Sequence, residues 1–268
     1  MKKKKWLSIA MIGLLTAGVL AACGAGEGTS NSSSSSDEKN TKVLKMGTSA
    51  DYPPFEYIDT AKGDSEPVGF DIDLAKAIGK ELGYEVKVVD MEFGSLIPSL
   101  QSKKVDLVLA GMTPTEERKK NVDFSDVYYE AKNVLVSKKE APVDNIEALN
   151  GKTVGVQTAS IQEDEAKTLS KEVDIKIESR DRIPQLIQEM KSNRIDVAII
   201  EDTVAKGYVE KDDTLQLAET GREESNKGSA IAFPKDSKLT EEFNRVLNEM
   251  KENGELEELV IKWFDSKE

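Results

Sequence analysis

Leu100-Gln101-Ser102-Lys103-Lys104-Val105-Asp106 and Met190-Lys191-Ser192-Asn193-Arg194-Ile195-Asp196 carry one pattern ninety positions apart: an apolar helix end, a polar turn and the start of a buried-type strand. A proline stands near the start of each helix (Pro98, Pro184), and a strand–loop–helix stretch precedes each, over 47–82 and 155–169. Helices that return the chain to apolar strands build a mostly parallel sheet with helices on its faces. Because the unit occurs twice, and because single cores seldom extend past about 200 residues, the pattern predicts two similar α/β lobes rather than one large sheet.

Apolar, β-branched runs predict strands over 43–47, 86–89, 105–110, 134–136, 153–156, 195–200 and 230–233, the last stopped by Pro234. Phe70, Leu74, Ile78 and Leu82 form a helical stripe with Asp71 and Asp73 in its first turn and Gly83 as its stop. The same periodicity predicts helices over 96–102, 183–192, 239–253 and 255–264.

The first forty residues do not share this pattern. Lys2 to Lys5 precede an apolar stretch from Trp6 to Ala22, followed by Cys23, and residues 24–40 are Gly/Ser-rich with serine throughout 32–36. A basic cluster, an apolar stretch of this length and small residues before a boundary predict a secretory signal over 1–22. Leu20-Ala21-Ala22-Cys23 resembles the lipobox of bacterial lipoproteins, which implies a lipid on Cys23 and a tether over 23–40 that holds the folded body off the outer face of the cell membrane. Cys23 is the single cysteine and histidine is absent. These counts exclude an internal disulfide, a Cys/His zinc site and a Ser-His-Asp or Cys-His catalytic pair. A net charge of −13 argues against a nucleic-acid partner.

The strand ending at Ala110-Gly111 is followed by Met112-Thr113-Pro114-Thr115-Glu116-Glu117-Arg118. Thr113 as N-cap, Pro114 at N1 and Glu116 at N3 predict a capping box, whose free amides, with the planar fork of Arg118, suit a small carboxylate. An ordinary capped helix with a solvated arginine reads equally well from this segment alone. Tyr52, in the stiff loop Asp51-Tyr52-Pro53-Pro54-Phe55, and Phe93 offer aromatic faces on opposed loops.

Gly69-Phe70-Asp71-Ile72-Asp73-Leu74, with Ile78, Gly79 and Leu82, resembles the signature of the family 3 bacterial extracellular solute-binding proteins. So do Gly47-Thr48-Ser49, Leu96-Ile97-Pro98-Ser99-Leu100, the 111–118 segment, Phe124-Ser125-Asp126 and Gly151-Lys152-Thr153-Val154-Gly155-Val156. The resemblance runs from about Val43 to the C-terminus. It implies a type II periplasmic-binding-protein fold whose lobe 1 comprises 41–130 and 228–268 and whose lobe 2 comprises 131–227. The chain then crosses near Glu130-Ala131-Lys132 and near Asn226-Lys227-Gly228.

The resemblance also implies a role for an amino acid as ligand and for an ABC permease and its ATPase subunits as partners, with a monomeric receptor and no cofactor or metal. Arg118, with Ala110, Gly111, Met112 and Thr113, then holds the ligand carboxylate. The loop from Gln157 through Ser160 to Ile161 closes on it from the other lobe. Glu201 takes the ammonium, with Asp202 as its competitor, and Tyr52 and Phe93 wall the side chain. Acidic Asp51 and Glu92, with Ser49, complement a cationic side chain, and the pattern is most similar to the arginine and basic amino-acid branch. A zwitterion paired by one charge from each lobe favours closure about a hinge. Glutamine, cystine or another polar amino acid is the alternative ligand. A dehydratase-like enzyme on the same fold and a tethered sensor are the alternative functions; without histidine, an enzyme has only carboxylates, lysine or tyrosine for proton transfer.

Overall fold

A computed structural model describes residues 42–60, 63, 65–221 and 228–265. The expected signal, Cys23, the linker and Asn226-Lys227 of the second crossing lie outside the described residues. The first part of the chain forms β1 (Lys42–Thr48), a small antiparallel sheet of β2 (Asp51–Tyr52), β3 (Glu56–Ile58) and β4 (Pro67–Val68), then α1 (Phe70–Glu81), β5 (Tyr84–Asp90), α2 (Leu96–Gln101), β6 (Leu107–Val108), α3 (Glu116–Lys119) and β7 (Val122–Phe124). The middle part forms β8 (Asn133–Lys138), β9 (Lys152–Gln157), α4 (Ile161–Leu169), β10 (Ile175–Arg180), α5 (Ile183–Lys191), β11 (Val197–Glu201), α6 (Asp202–Val209) and β12 (Leu215–Glu219). The chain returns through β13 (Ala232–Pro234), α7 (Lys238–Asn253) and α8 (Glu255–Val260).

Two five-stranded sheets result, ordered β5-β1-β6-β13-β7 and β10-β9-β11-β8-β12. In each, the first three strands are parallel and the fourth runs antiparallel to its neighbours. That fourth strand is the one by which the chain arrives from the other sheet: β8 follows the first set of elements, and β13 follows the second. The sheets are therefore mixed, not wholly parallel.

The repeat visible in the sequence holds down to its hydrogen bonds. Lys103 and Asn193 both take left-handed backbone, φ 56° and φ 58°. Lys104 N–H then bonds Ser99 O and Arg194 N–H bonds Glu189 O, both at 2.9 Å. Asp106 exchanges bonds with Lys45, N–H to O at 2.8 Å and carboxylate from Lys45 N–H at 2.8 Å; Asp196 does the same with Thr153 at 2.9 and 2.8 Å. A short side chain that pairs both backbone groups of the neighbouring strand fixes where each buried strand begins.

Regular pairing in the first sheet is shorter than the 105–110 run suggests. Beyond Val108, Leu109 N–H reaches Gly47 O at 3.3 Å and the chain turns at Gly111, φ 54°. The edge strands β10 and β12 lack an unbroken apolar run: Lys176, Glu178 and Arg180 alternate along β10, and Gln216 and Glu219 interrupt β12. At the C-terminus the expected 255–264 helix ends at Val260 and widens into a π turn over Ile261–Asp265. That turn brings Phe264 flat on Tyr129, with centroids 4.3 Å apart, and edge-on to Phe55 and Phe70. Where the two crossing segments meet, Tyr129 pairs with Ser229. Gly228 beside them has φ 52°, and a Cβ there would lie 2.3 Å from Val127, so only glycine fits.

Candidate functional site

Strand ends of the two sheets face one cleft, as open α/β sheets place ligand sites. Tyr52, Phe93, Ala110, Gly111, Thr113 and Arg118 line it from the first sheet; Gln157, Ser160, Ile161, Gln162 and Glu201 line it from the second. The recess is nearly closed, with a cavity volume of about 20 Å³.

Arg118 sits on α3, a helix of only four residues. Its N-cap is Thr115, whose hydroxyl accepts from Arg118 N–H at 3.2 Å, and not Thr113 as the capping-box pattern suggests. Pro114 disfavours helical backbone at Thr113, and Thr115 N–H turns back to Thr113 O at 3.0 Å, so the helix starts two residues later. The Thr113 carbonyl instead receives Arg118 Nη1 at 2.9 Å. Nη2 crosses the cleft to Ala159 O at 2.8 Å, and the guanidinium lies 5.3 Å from the Phe93 ring centroid. Burial pulls this group down to about 10, which leaves it a cation at neutral pH.

The donors expected around a carboxylate are partly in use. Gly111 N–H donates to Asp71 Oδ2 at 2.9 Å, so its amide is already engaged. Ser160 caps α4, accepting from Glu163 N–H at 3.1 Å, and gives its own proton to Gln157 O at 2.7 Å. The first-turn amide of Ile161 has no intrahelical acceptor and is the donor this loop presents. Ala159 stands at φ 62°, a left-handed position that a glycine fills without strain. Gln157 Nε2 donates to Asp181 O at 3.2 Å.

Glu201 ends β11 and is buried. Its Oε2 accepts from Tyr52 OH at 3.4 Å, across the cleft, and its Oε1 is buried with no hydrogen-bond partner among the described residues. Burial, then the charges of Asp202 and Asp71, raise this carboxyl well above the usual carboxylate range. Asp202 does not line the cleft; its carboxylate accepts from Thr203 N–H at 2.9 Å at the start of α6.

Ser49, Asp51, Met112 and Glu92 are not among the lining residues. The Asp51 carboxylate is taken by Ser49 OH at 2.7 Å, Ile183 N–H at 2.6 Å and Arg182 Nη1 at 3.5 Å, while Asp51 O accepts from Tyr208 OH at 2.9 Å. It fastens one sheet's loop to the other's helix. Glu92 is exposed at the start of a 3-10 turn. Sequence reasoning missed Gln162, whose neighbour Ile161 stood in the family loop, and missed the Asp90–Arg182 pair outside the cleft. It also missed a buried acid cluster behind the cleft. Glu56 is fully buried and raised well above the usual range by burial and by Asp71. Asp71, bonded by Gly111 N–H and Tyr128 OH, is raised to about 6 by burial.

Residues 44–266 match the profile of the bacterial extracellular solute-binding proteins, family 3. The chain is 54% identical over 264 residues to the arginine-binding extracellular protein ArtP of Bacillus subtilis (strain 168), covering 97% of this chain and 98% of that one. Among solved structures, the substrate-binding protein of an amino acid ABC transporter superposes with a TM-score of 0.80 at 42% identity, covering 84% of this chain and all of that one. AbpA from Streptococcus pneumoniae, an amino acid ABC transporter substrate-binding protein bound to L-arginine, gives 0.79 at 39% identity, covering 85% and 96%.

Proposed function

The chain belongs to the bacterial extracellular solute-binding proteins of family 3, with the type II periplasmic-binding-protein fold, and from that premise we propose that it is the receptor of an ABC importer for arginine or another basic amino acid. One observation carries the reading: a half-buried cation, Arg118, and a buried acid, Glu201, with an oxygen unpartnered among the described residues, line one cleft from opposite sheets. Arg118 and the Ile161 amide take the ligand carboxylate, Glu201 and the Gly111 carbonyl take the ammonium, and Tyr52 and Phe93 wall the side chain. Closing 41–130 with 228–268 against 131–227 completes both half-sites at once. In that closure the Arg118 bond to Ala159 O, made here within the protein, gives way to or is shared with the ligand.

The protein binds and releases its ligand unchanged, acts as a monomer, and is held at the outer face of the membrane by lipid on Cys23. A family relationship to arginine-binding proteins supports the basic ligand; the acids proposed for its side chain do not, since Asp51 is occupied and Glu92 is exposed.

Thermal unfolding against the twenty amino acids tests the reading. Ligand at 100-fold over its Kd adds about 2.7 kcal/mol, or roughly 5–10 °C for a chain of this size. A shift confined to arginine, lysine or ornithine is expected. A shift with glutamine or cystine alone keeps the receptor and removes the basic ligand, and conversion of the ligand removes the receptor. Cys23→Ala is expected to release the protein into the medium; retention by the cells removes the lipid anchor.

A further inference from the structure

Gln162 lines the cleft on the first turn of α4, and it is buried. Its Nε2 donates to Asn133 Oδ1 at 2.7 Å, and Asn133 Nδ2 donates to Glu165 Oε2 at 2.7 Å. The direction of this chain is set at its far end. An ionised carboxylate only accepts, so Glu165 must receive from the Asn133 amide nitrogen. That leaves the Asn133 carbonyl toward Gln162, which must receive from the Gln162 nitrogen. The Gln162 amide is thereby fixed with its nitrogen toward Asn133, and its carbonyl is the acceptor it can offer a ligand.

We infer that Glu165, acting through Asn133, is a positioning residue that makes the Gln162 wall of the cleft a hydrogen-bond acceptor and thereby selects a ligand side chain that donates. The inference rests on the proposed reading as an amino-acid receptor, in which Arg118 and Glu201 hold the ligand's carboxylate and ammonium and leave Gln162 to its side chain. A guanidinium has five N–H donors and no acceptor, so it matches a fixed carbonyl. A ureido group of the same shape replaces one NH₂ with a carbonyl and is uncharged, so it offers the wall fewer and weaker donors. Arg118 and the Ile161 amide meet the same carboxylate in either ligand, so the ratio of the two affinities isolates the side chain. Asn133 begins β8 directly opposite Glu201, which ties the relay to the strand that carries the ammonium partner.

The experiment is calorimetric titration of the full protein with arginine and with citrulline. The wild type is expected to favour arginine by about 10- to 100-fold, the scale of one charged hydrogen bond. Glu165→Gln can donate as well as accept, so the relay loses its direction and the ratio is expected to fall at least fivefold. Removing a negative charge could lower the ratio without any relay, so Asn133→Leu is measured beside it. That variant keeps the Glu165 charge, and the relay still predicts a fallen ratio. In the pair Asn133→Asp with Glu165→Gln, the new carboxylate accepts from Gln162 directly, and the ratio is expected to return. Thermal unfolding of each variant separates lost selectivity from lost fold. An unchanged ratio in folded Asn133→Leu, or no return in the double variant, overturns the relay while leaving the receptor intact. A wild type that binds no basic amino acid removes the ligand reading, and this inference with it.

Discussion

Arg182 grips Asp90 with both arms of its fork, Nη1 to Oδ1 at 2.9 Å and Nη2 to Oδ2 at 3.1 Å. Asp90 ends β5 beside the first sheet and Arg182 is the N-cap of α5 beside the second, so the pair bridges the two sheets. Ile183 N–H on Asp51 and Tyr208 OH on Asp51 O add to the same seam without touching the cleft. A two-pronged, partly exposed pair contributes on the order of 1 kcal/mol. Removing it with Arg182→Gln is expected to raise the ligand Kd about fivefold, equally for every amino acid bound, and to enlarge the ligand-free molecule in small-angle scattering. A change in ligand preference would show that Arg182 acts inside the cleft.

Arg118→Lys keeps the charge and loses the fork. A lysine ammonium cannot serve the Thr113 carbonyl and a carboxylate in the planar geometry that Arg118 offers, nor lie flat beside Phe93. Binding is expected to weaken about 100-fold by calorimetry while the ligand-free melting temperature stays within a few degrees. Wild-type affinity in this variant would place the carboxylate elsewhere.

The contrast between Arg118 and Asp51 shows what a sequence of this kind discloses. Arg118 was legible from the segment that follows a buried strand, and Ser160 and Glu201 from the family resemblance; all three lie at strand ends, where a ligand meets an α/β sheet. Asp51 also follows a strand, yet its carboxylate is used up by Ser49, Ile183 and Arg182, the last two some 130 residues away in the chain. No local pattern encodes a partner at that distance. The same holds for Gly111, whose N–H goes to Asp71 on α1, and for Gln162, whose part depends on a strand and a helix turn that meet only in the fold. The repeat at 100–106 and 190–196 was legible for the opposite reason: its left-handed turn is local, and its aspartate bonds close within the consecutive strands and helices of one sheet. Periodicity placed the long helices within a residue or two. It overran the C-terminal one, because the widened turn at 261–265 is held by aromatic packing of Phe264 on Tyr129.

Glu201 makes binding depend on pH. Burial raises its carboxyl in the ligand-free protein, and an ammonium beside it favours the charged form. Binding therefore expels the proton that Glu201 holds, and affinity weakens as pH falls through the raised value of the free protein. Calorimetry in two buffers of different ionisation enthalpy is expected to show proton release that Glu201→Gln abolishes. That variant also loses a buried charge partner, and its affinity is expected to fall at least 30-fold. Asp202→Asn, which leaves the cleft intact, is expected to keep both affinity and proton release; a Glu201→Gln protein that still releases a proton would assign the linkage to another acid.

Asp71 links stability to pH with the opposite sign from a surface aspartate. Its folded value of about 6 lies above the unfolded value of about 3.9, because burial outweighs the bonds from Gly111 N–H and Tyr128 OH. Between those values the folded chain holds more protons than the unfolded one, so stability falls as pH rises from about 4 to about 6. The penalty is fully present above that window and absent below it. Fully buried Glu56 is raised well above the usual carboxylate range, first by burial and then by the same neighbour. Asp71→Asn can still accept from Gly111 and Tyr128, and it carries no charge to bury. Its melting temperature is expected to vary less across this window than that of the wild type, and its stability to exceed the wild type's at pH 7 by an amount on the order of 2 kcal/mol. Circular dichroism melts at half-unit pH steps give the slope directly. An Asp71→Asn protein that tracks the wild-type slope would move the linkage from Asp71 to Glu56 or Asp51, and the Gly111 turn would then rest on a carboxylate that stays charged through the whole range.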